Sequence, residues 1–471
     1  MGEALEVLRA TLSGREAWLV GGSVRDRVLG RPTADLDVVI DGDPAETARM
    51  LARASGRAAR FALSEDFGAW RVVARDHSWQ IDIERMRGET LQEDLHQRDF
   101  TINAIAETVA GGPPIDPLGG LRDLAARRLR IVGAQAFAAD PLRVLRLVRL
   151  AIELELTAES QTLQAARQAA ESLRSVAGER VFMELRRIID APQALRGLEL
   201  MDEVGATAVV LPELMELRGV EQSRYHHRDV HGHTLEVLEQ TIALQANPAA
   251  ILGQEHGDAV ADLLAEPLAD ELTRGGALRW GALLHDAAKP ATRAVVPLSG
   301  RVTFMGHDSL GADLARDVLG RLRTSERLRA HVAALVRHHL RLGFMVHERQ
   351  PLAPESVFGY LRATEPVEVD VTLLSVADRL ATRGDRAEQA IDAHMRLAQT
   401  MLGDALRWRA QGPPTPLWRG DQLASELGIP LGPQVGALLE DLARAQYAGT
   451  VTTQAQALDF ARARQANRMR A

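Results

Sequence analysis

Cysteine is absent from the 471 residues, which excludes disulfides and thiolate metal sites. No apolar run approaches the roughly 20 residues that cross a bilayer. The opening residues form an amphipathic helix pattern carrying Glu3 and Glu6, unlike a signal peptide. These absences point to a cytoplasmic protein with no membrane partner. Lysine is all but missing: of 56 basic residues only Lys289 is not arginine. A GC-rich coding bias accounts for the arginine excess and draws attention to the lysine that stays. The net charge of −8 argues mildly against a nucleic-acid partner, but local patches rather than the total decide binding. What is present is 46% hydrophobic and 25% charged residues, the balance of a globular chain with real cores. Its length suggests about three domains.

Strand signals concentrate in the first third. Ala17 to Val20 reads as a short strand ending at Gly21-Gly22, with a helix starting at Ser23. Asp35 to Ile40 alternates as a strand, and Trp70–Arg75 with Trp79–Glu84 reads as a hairpin turning at Asp76-His77. From Asp140 onward 3.6-residue patterns dominate, beginning with PLRVLRLVRLAIEL. Residues 244–276 read as an acidic helical insertion. The run Gly412-Pro413-Pro414-Thr415-Pro416 reads as a linker.

The first candidate site combines a phosphate turn with two carboxylates. Gly21-Gly22-Ser23 joins a strand to a helix, where glycine admits close backbone approach and free N–H groups face anions. Arg25 falls in the first helical turn, within reach of a triphosphate. Asp35 and Asp37, two apart on a strand, project from one face. Such a pair repels itself unless a cation intervenes, and Mg2+ suits it. Alone, a turn or a solvated strand edge explains each feature. Their succession within a dozen residues favours nucleotidyl transfer, with two metals serving the attacking hydroxyl and the leaving pyrophosphate. Asp82, on a later strand, is a third carboxylate.

WLVGGSVRDRVLGRPTADLDVVI resembles the signature of class II tRNA nucleotidyltransferases and bacterial poly(A) polymerases. The likeness continues in order through Arg98–Ala104 (RRDFTINA, with Gln97 for the first Arg), Asp116–Leu124, Asp140–Arg146 (EDPxRxLR) and Glu179–Leu185 (ERxxxEL). It implies an α+β chain: a small mixed-sheet, polymerase-beta-like head followed by a largely helical body. It further implies that Asp35 and Asp37 are catalytic and hold the metals, and that Gly21, Gly22 and Arg25 bind the triphosphate. Arg98 and Asp99 would lie near the ribose. Asp140 and Arg143, at i and i+3 of a helix, would share a face and read the base; Arg146 belongs to the same nucleotide-binding set. For Arg149 a salt-bridged helix face is the plainer reading.

Two departures bear on specificity. Ala139 stands where the family has Glu. Between the Asp82 strand and the RDFTINA element only Arg85 to Thr90 precedes the next helical pattern, whereas CCA-adding relatives carry a longer loop that switches them from CTP to ATP. CC-adding enzymes lack it. The expectation is therefore CC addition from CTP to tRNA lacking all or part of its 3′ CCA, with a separate A-adding enzyme completing the end. Full CCA addition with ATP, a poly(A) polymerase, and an RNA-binding scaffold with inactive sites are the alternatives.

The second candidate site is a histidine–aspartate series: His233, His285-Asp286, His307, His338-His339 and Asp378, each in an apolar helical context. Burying such groups without partners is costly, and a metal centre resolves the cost. The series resembles the HD phosphohydrolases. That likeness implies one metal on His233, His285, Asp286 and Asp378 and a second involving His307, His338 and His339. Mn2+, Ni2+, Fe or Mg2+ suits such N/O ligands. Lys289 would bind phosphate as a compact ammonium. His226, His227, His231, His256, His331 and His347 are not expected as ligands. Fusion to the head suggests RNA 2′,3′-cyclic or 3′-phosphate ends as substrate, with free nucleotides as an alternative.

The expected division is a head over 1–138, a helical neck over 139–221, an HD domain over 222–400 and a helical tRNA-binding tail over 412–471. The tail carries a Leu427–Gly436 segment like that of bacterial nucleotidyltransferases and a basic end of Arg462, Arg464, Arg468 and Arg470.

Overall fold

The computed structural model describes residues 2–56, 58–64, 68–223, 225–384 and 387–470. The chain divides into two compact units, Met1–Val210 and Leu211–Ala471. No helix among the described residues is long and apolar enough to cross a membrane.

The first unit opens with α1 (Gly2–Thr11), β1 (Ala17–Val20), α2 (Gly22–Val28), β2 (Asp35–Ile40) and α3 (Pro44–Ala54). It continues with β3 (Ala59–Ser64), β4 (Ala69–Val73), β5 (Gln80–Arg85), α4 (Leu91–His96) and β6 (Ala106–Thr108). The six strands form one sheet in the order β3-β4-β5-β2-β1-β6. Only β2 and β5 pair in parallel, in a register that sets Asp37 opposite Asp82. In β2 the side chains of Leu36, Val38, Val39 and Ile40 are buried, while Asp35 is exposed and Asp37 half-buried. The apolar members thus anchor the strand, and the carboxylates are left on its open face. The expected hairpin is β4 with β5, turning through His77 at a φ of 58°.

The first unit continues with α5 (Gly120–Ala125), α6 (Ala136–Ala139), α7 (Arg143–Glu153), α8 (Ser160–Ala169) and α9 (Gly178–Asp190). One expectation fails here. Asp140 is not on a helix with Arg143: it caps α6 in an extended conformation, φ −149° and ψ 102°, and α7 begins only at Arg143. The cause is Pro141, whose ring disfavours helical angles at the residue before it.

The second unit is a helical bundle. Leu252, Val260, Leu263 and Leu264 belong to its main core with Leu278, Leu335, Phe358, Leu374 and Trp408. Residues 244–276 thus form part of the wall of the bundle, and they are only partly helical. Pro267–Ala269 and Leu272–Thr273 pair as a small antiparallel ladder that leads into the helix Arg274–Leu284. After residue 411 the tail forms its own small core around Leu423, Leu438, Leu442 and Ala457. The side chains of Arg468 and Arg470 lie outside the described residues.

Candidate functional sites

The head site begins at Gly21. Its φ of 67° and ψ of −133° are open only to glycine without strain. A Cβ there would lie 3.2 Å from Arg98 Nη1 and 3.5 Å from Asp37 Oδ2. The phosphate turn, one catalytic-type carboxylate and one guanidinium therefore meet around a bare backbone. Asp37 is pushed up to about 6, first by burial and then by Asp82, with Glu84 and Asp35 adding to it against the pull of Arg98. A carboxylate held in this way is short of positive charge, and a divalent cation between Asp35 and Asp37 fits that deficit. Asp82 is engaged differently: Arg71 grips it through two 2.7 Å hydrogen bonds.

These residues line a cavity of 530 Å3 whose other wall is rich in arginine. Most of those guanidinium groups are committed. Arg25 donates to Asp26 at 2.8 and 2.9 Å and to Asn103 Oδ1 at 2.7 Å. Arg98 donates to the buried Asp94. Asn103 donates to Asp99 at 2.9 Å, and Arg146 grips Asp99 through Nε and Nη2. Burial alone would raise Asp99, but Arg146 and Asn103 outweigh it and hold it well below the ordinary carboxylate value. Arg149 is buried against Glu184 and Glu153, the salt-bridged role favoured for it. Arg143 donates to the carbonyls of Gln97, Arg98 and Ala136. It ties the RDFTINA element to the neck and also lines the cavity.

In the second unit the His233 helix (Val230–Ala246), His285-Asp286 after Arg274–Leu284, His307 at the start of His307–Arg321, and His339 after Glu326–His338 converge. His285, His307 and His339 each place Nδ1 at 2.6–2.8 Å from the carbonyl three residues earlier. A carbonyl can only accept, so Nδ1 carries a proton, and in the neutral ring Nε2 keeps a lone pair. The three Nε2 atoms turn toward Asp286. Its Oδ2 lies 3.1 Å from His285 and 3.8 Å from His233; its Oδ1 lies 3.3 Å from His307 and 3.9 Å from His339. Asp378 adds its Oδ1 at 3.0 Å from His233.

The side chains of His233, His285, Asp286 and His339 are almost fully buried, and Nε2 of His233, His285 and His307 faces carboxylate oxygens at 3.0–3.3 Å without well-aligned hydrogen bonds among the described residues. Orphaned buried nitrogens around one carboxylate are what a metal centre would satisfy. Asp286 faces two groups, His233 with His285 and His307 with His339, as a bridging ligand would. Burial pushes His339 down to about 4, which leaves it neutral and able to ligate at neutral pH.

His338 departs from the expected set. Neighbours on a helix point about 100° apart. With His339 turned inward, His338 is half-buried, and its Nδ1 accepts from Arg341 at 3.0 Å. Lys289 is buried, with Nζ 2.6 Å from Asp286 Oδ2 and 2.6 Å from Gln222 Oε1, over the Phe304 ring.

Residues 17–130 match the poly A polymerase head domain, 155–217 the probable RNA and SrmB-binding site of polymerase A, and 230–383 the HD domain. The A-adding tRNA nucleotidyltransferase of Deinococcus radiodurans is 37% identical over 457 residues, covering 94% of each chain. The chain belongs to the tRNA nucleotidyltransferase family. The CC-adding tRNA nucleotidyltransferase of Thermus thermophilus is 33% identical, covering 95% of this chain and 93% of its own. A CCA-adding enzyme solved with ATP shares the fold at a TM-score of 0.64 and 19% identity, over 98% of this chain and 95% of that one. This chain joins a poly A polymerase head domain to an HD domain.

Several contributors escaped the sequence reading. Asp94 is fully buried and holds Arg98, and its signal was the i,i+4 spacing of the two. Glu184 was noted only as part of a motif, yet it anchors Arg149 from another helix. His226, not expected as a ligand, packs its ring 5.0 Å from His233. Burial and the Lys289 charge push it down to about 3. A histidine in a polar stretch carries no periodic signal, so only the fold could reveal it.

Proposed function

We propose that the head adds CC, from CTP, to tRNA lacking its 3′ CCA. The carrying observation is the connection between β5 and α4, which is short and closed on itself. Arg87 N donates to Asp94 at 3.0 Å, Glu89 N to Glu93 at 2.8 Å, and Gln97 Nε2 to the Arg87 carbonyl at 2.9 Å. A turn tied down in this way offers no long lever for changing nucleotide preference. Asp35 and Asp37 would hold Mg2+, which supplies charge neutralisation for the hydroxyl and the pyrophosphate. A second reading, addition of the terminal A alone, is favoured by the 37% identity to an A-adding relative. Incubation of tRNA ending before CCA, after CC and after CCA with CTP, ATP or both, followed by end sequencing, separates the readings. Products stopping at CC support the first; extension only of CC ends by ATP supports the second; complete CCA from this chain alone refutes both.

We further propose that the HD unit is a metal-dependent phosphohydrolase acting on RNA 2′,3′-cyclic or 3′-phosphate ends. The two ligand groups sharing Asp286 carry this reading, with Lys289 set to meet a phosphate oxygen. Purified protein loaded in turn with Mn2+, Ni2+, Fe2+ or Mg2+ should release phosphate from such ends, and His285→Ala should not. No hydrolysis with any of these ions refutes it.

A further inference from the structure

A lysine ammonium on four methylenes needs a partner to aim it, and Lys289 has two. One comes from its own segment: Nζ lies 2.6 Å from Asp286 Oδ2. The other comes from outside the ligand-bearing helices: Gln222 Oε1 lies 2.6 Å from the same Nζ. Gln222 precedes the residues 230–383 that match the HD domain. Its loop is closed at the base. Asp229 Oδ2 accepts from Gly219 N at 2.7 Å, and Oδ1 caps the His233 helix at Gly232 N, at 2.8 Å. Val230 N donates to the Val220 carbonyl at 3.0 Å. Farther out, Gly384 N donates to the Tyr225 carbonyl at 2.8 Å. A loop fixed at these points sets His226 against His233 and Gln222 against Lys289.

We propose that Gln222 is a positioning residue that sets Lys289 toward the substrate phosphate. An ammonium has three N–H groups and no acceptor, so the amide atom facing it must be oxygen. Asp286 takes one N–H and Gln222 a second, which fixes the direction of the third. Lys289 is 7% exposed and lies with Nζ 5.3 Å from the Phe304 ring centre, so water has little access to replace the amide. Without Gln222 the ammonium is drawn to Asp286 alone, and its other N–H groups turn about that one bond. A neutral acceptor suits the task. It orients the ammonium and leaves its charge for the phosphate, where a second carboxylate would cancel it. The proposal rests on the phosphohydrolase reading of this unit.

The test uses the full chain loaded with Mn2+ and titrates inorganic phosphate by calorimetry, alongside kcat and KM on RNA 3′-phosphate ends. Gln222→Met keeps the length and removes the acceptor. It should weaken phosphate binding about tenfold to a hundredfold, the worth of a hydrogen bond to a charged group. Mn2+ affinity, titrated in the same way, should stay within about threefold, because Gln222 bonds Lys289 and not a ligand. Gln222→Glu should also weaken phosphate binding, because its charge cancels the ammonium. In a Lys289→Met background, Gln222→Met should change phosphate affinity by less than about twofold, since the group it aims is gone. Thermal melting checks folding; should Gln222→Met not fold, Gln222→Ala carries the same cycle. A wild type that hydrolyses these ends while folded Gln222 variants keep its phosphate affinity overturns the proposal alone. So does an equal loss with and without Lys289, or a loss confined to Mn2+ affinity. A wild type that neither binds phosphate nor hydrolyses any end overturns it together with the phosphohydrolase reading.

Discussion

Asp99 shows how a charged residue is kept useful inside the head. It is 6% exposed, yet Arg146, Asn103 and its own neighbour's N–H at Phe100 keep it ionised. Its folded value lies below the ordinary carboxylate range, so the pair contributes stability that is fully present above that range. The contribution is lost as pH falls through the folded value. Asp99→Asn should therefore cost about 2–3 kcal/mol at neutral pH, below the range for a fully enclosed pair because 35% of the Arg146 side chain meets solvent. In urea titrations the gap between wild type and variant should hold down to about pH 5 and close in more acidic buffer. At this scale much of the site was legible: Gly21, Asp35, Asp37, His285 and Asp286 stand in motifs whose chemistry needs them. His338 was not, since a motif names a residue type but not the partner its side chain finds.

Among the elements, the start of α5 makes the closest approach. A Cβ on Gly120 would fall 2.1 Å from the Thr101 carbonyl oxygen and 2.9 Å from Ile105 Cγ1. The backbone of α5 thus lies directly on the turn that holds Asn103, and through it Arg25 and Asp99. Gly120→Ala should destabilise the first unit by about 1–3 kcal/mol or more, read by urea unfolding, and should raise KM for the nucleotide. Element positions were largely readable from period and turn chemistry, as β1, β2 and the β4–β5 hairpin show. The failures share a cause. Asp140 looked helical because the apolar period runs up to it, although Pro141 disfavours that conformation. Residues 244–276 read as wholly helical because the short ladder of Pro267–Ala269 with Leu272–Thr273 leaves too few residues for a periodic signal.

At the scale of the whole molecule, each candidate site lies within one unit: the Asp35–Asp37 strand in Met1–Val210, the histidine cluster in Leu211–Ala471. Asp35→Asn should abolish nucleotide addition and leave phosphate release intact, and His285→Ala should do the reverse. Loss of both activities from either single change, in protein that melts as wild type does, would contradict separate sites. The head's sheet carries one more consequence. Its only parallel pairing, β2 with β5, sets Asp37 against Asp82, and the chain must build α3, β3 and β4 before it returns to make that pairing. Closing so long a loop costs entropy that nearby hairpins avoid. The carboxylate face of the head is therefore an outcome of late assembly: during refolding, nucleotide binding should be regained after the β3–β4–β5 meander has formed, not with it.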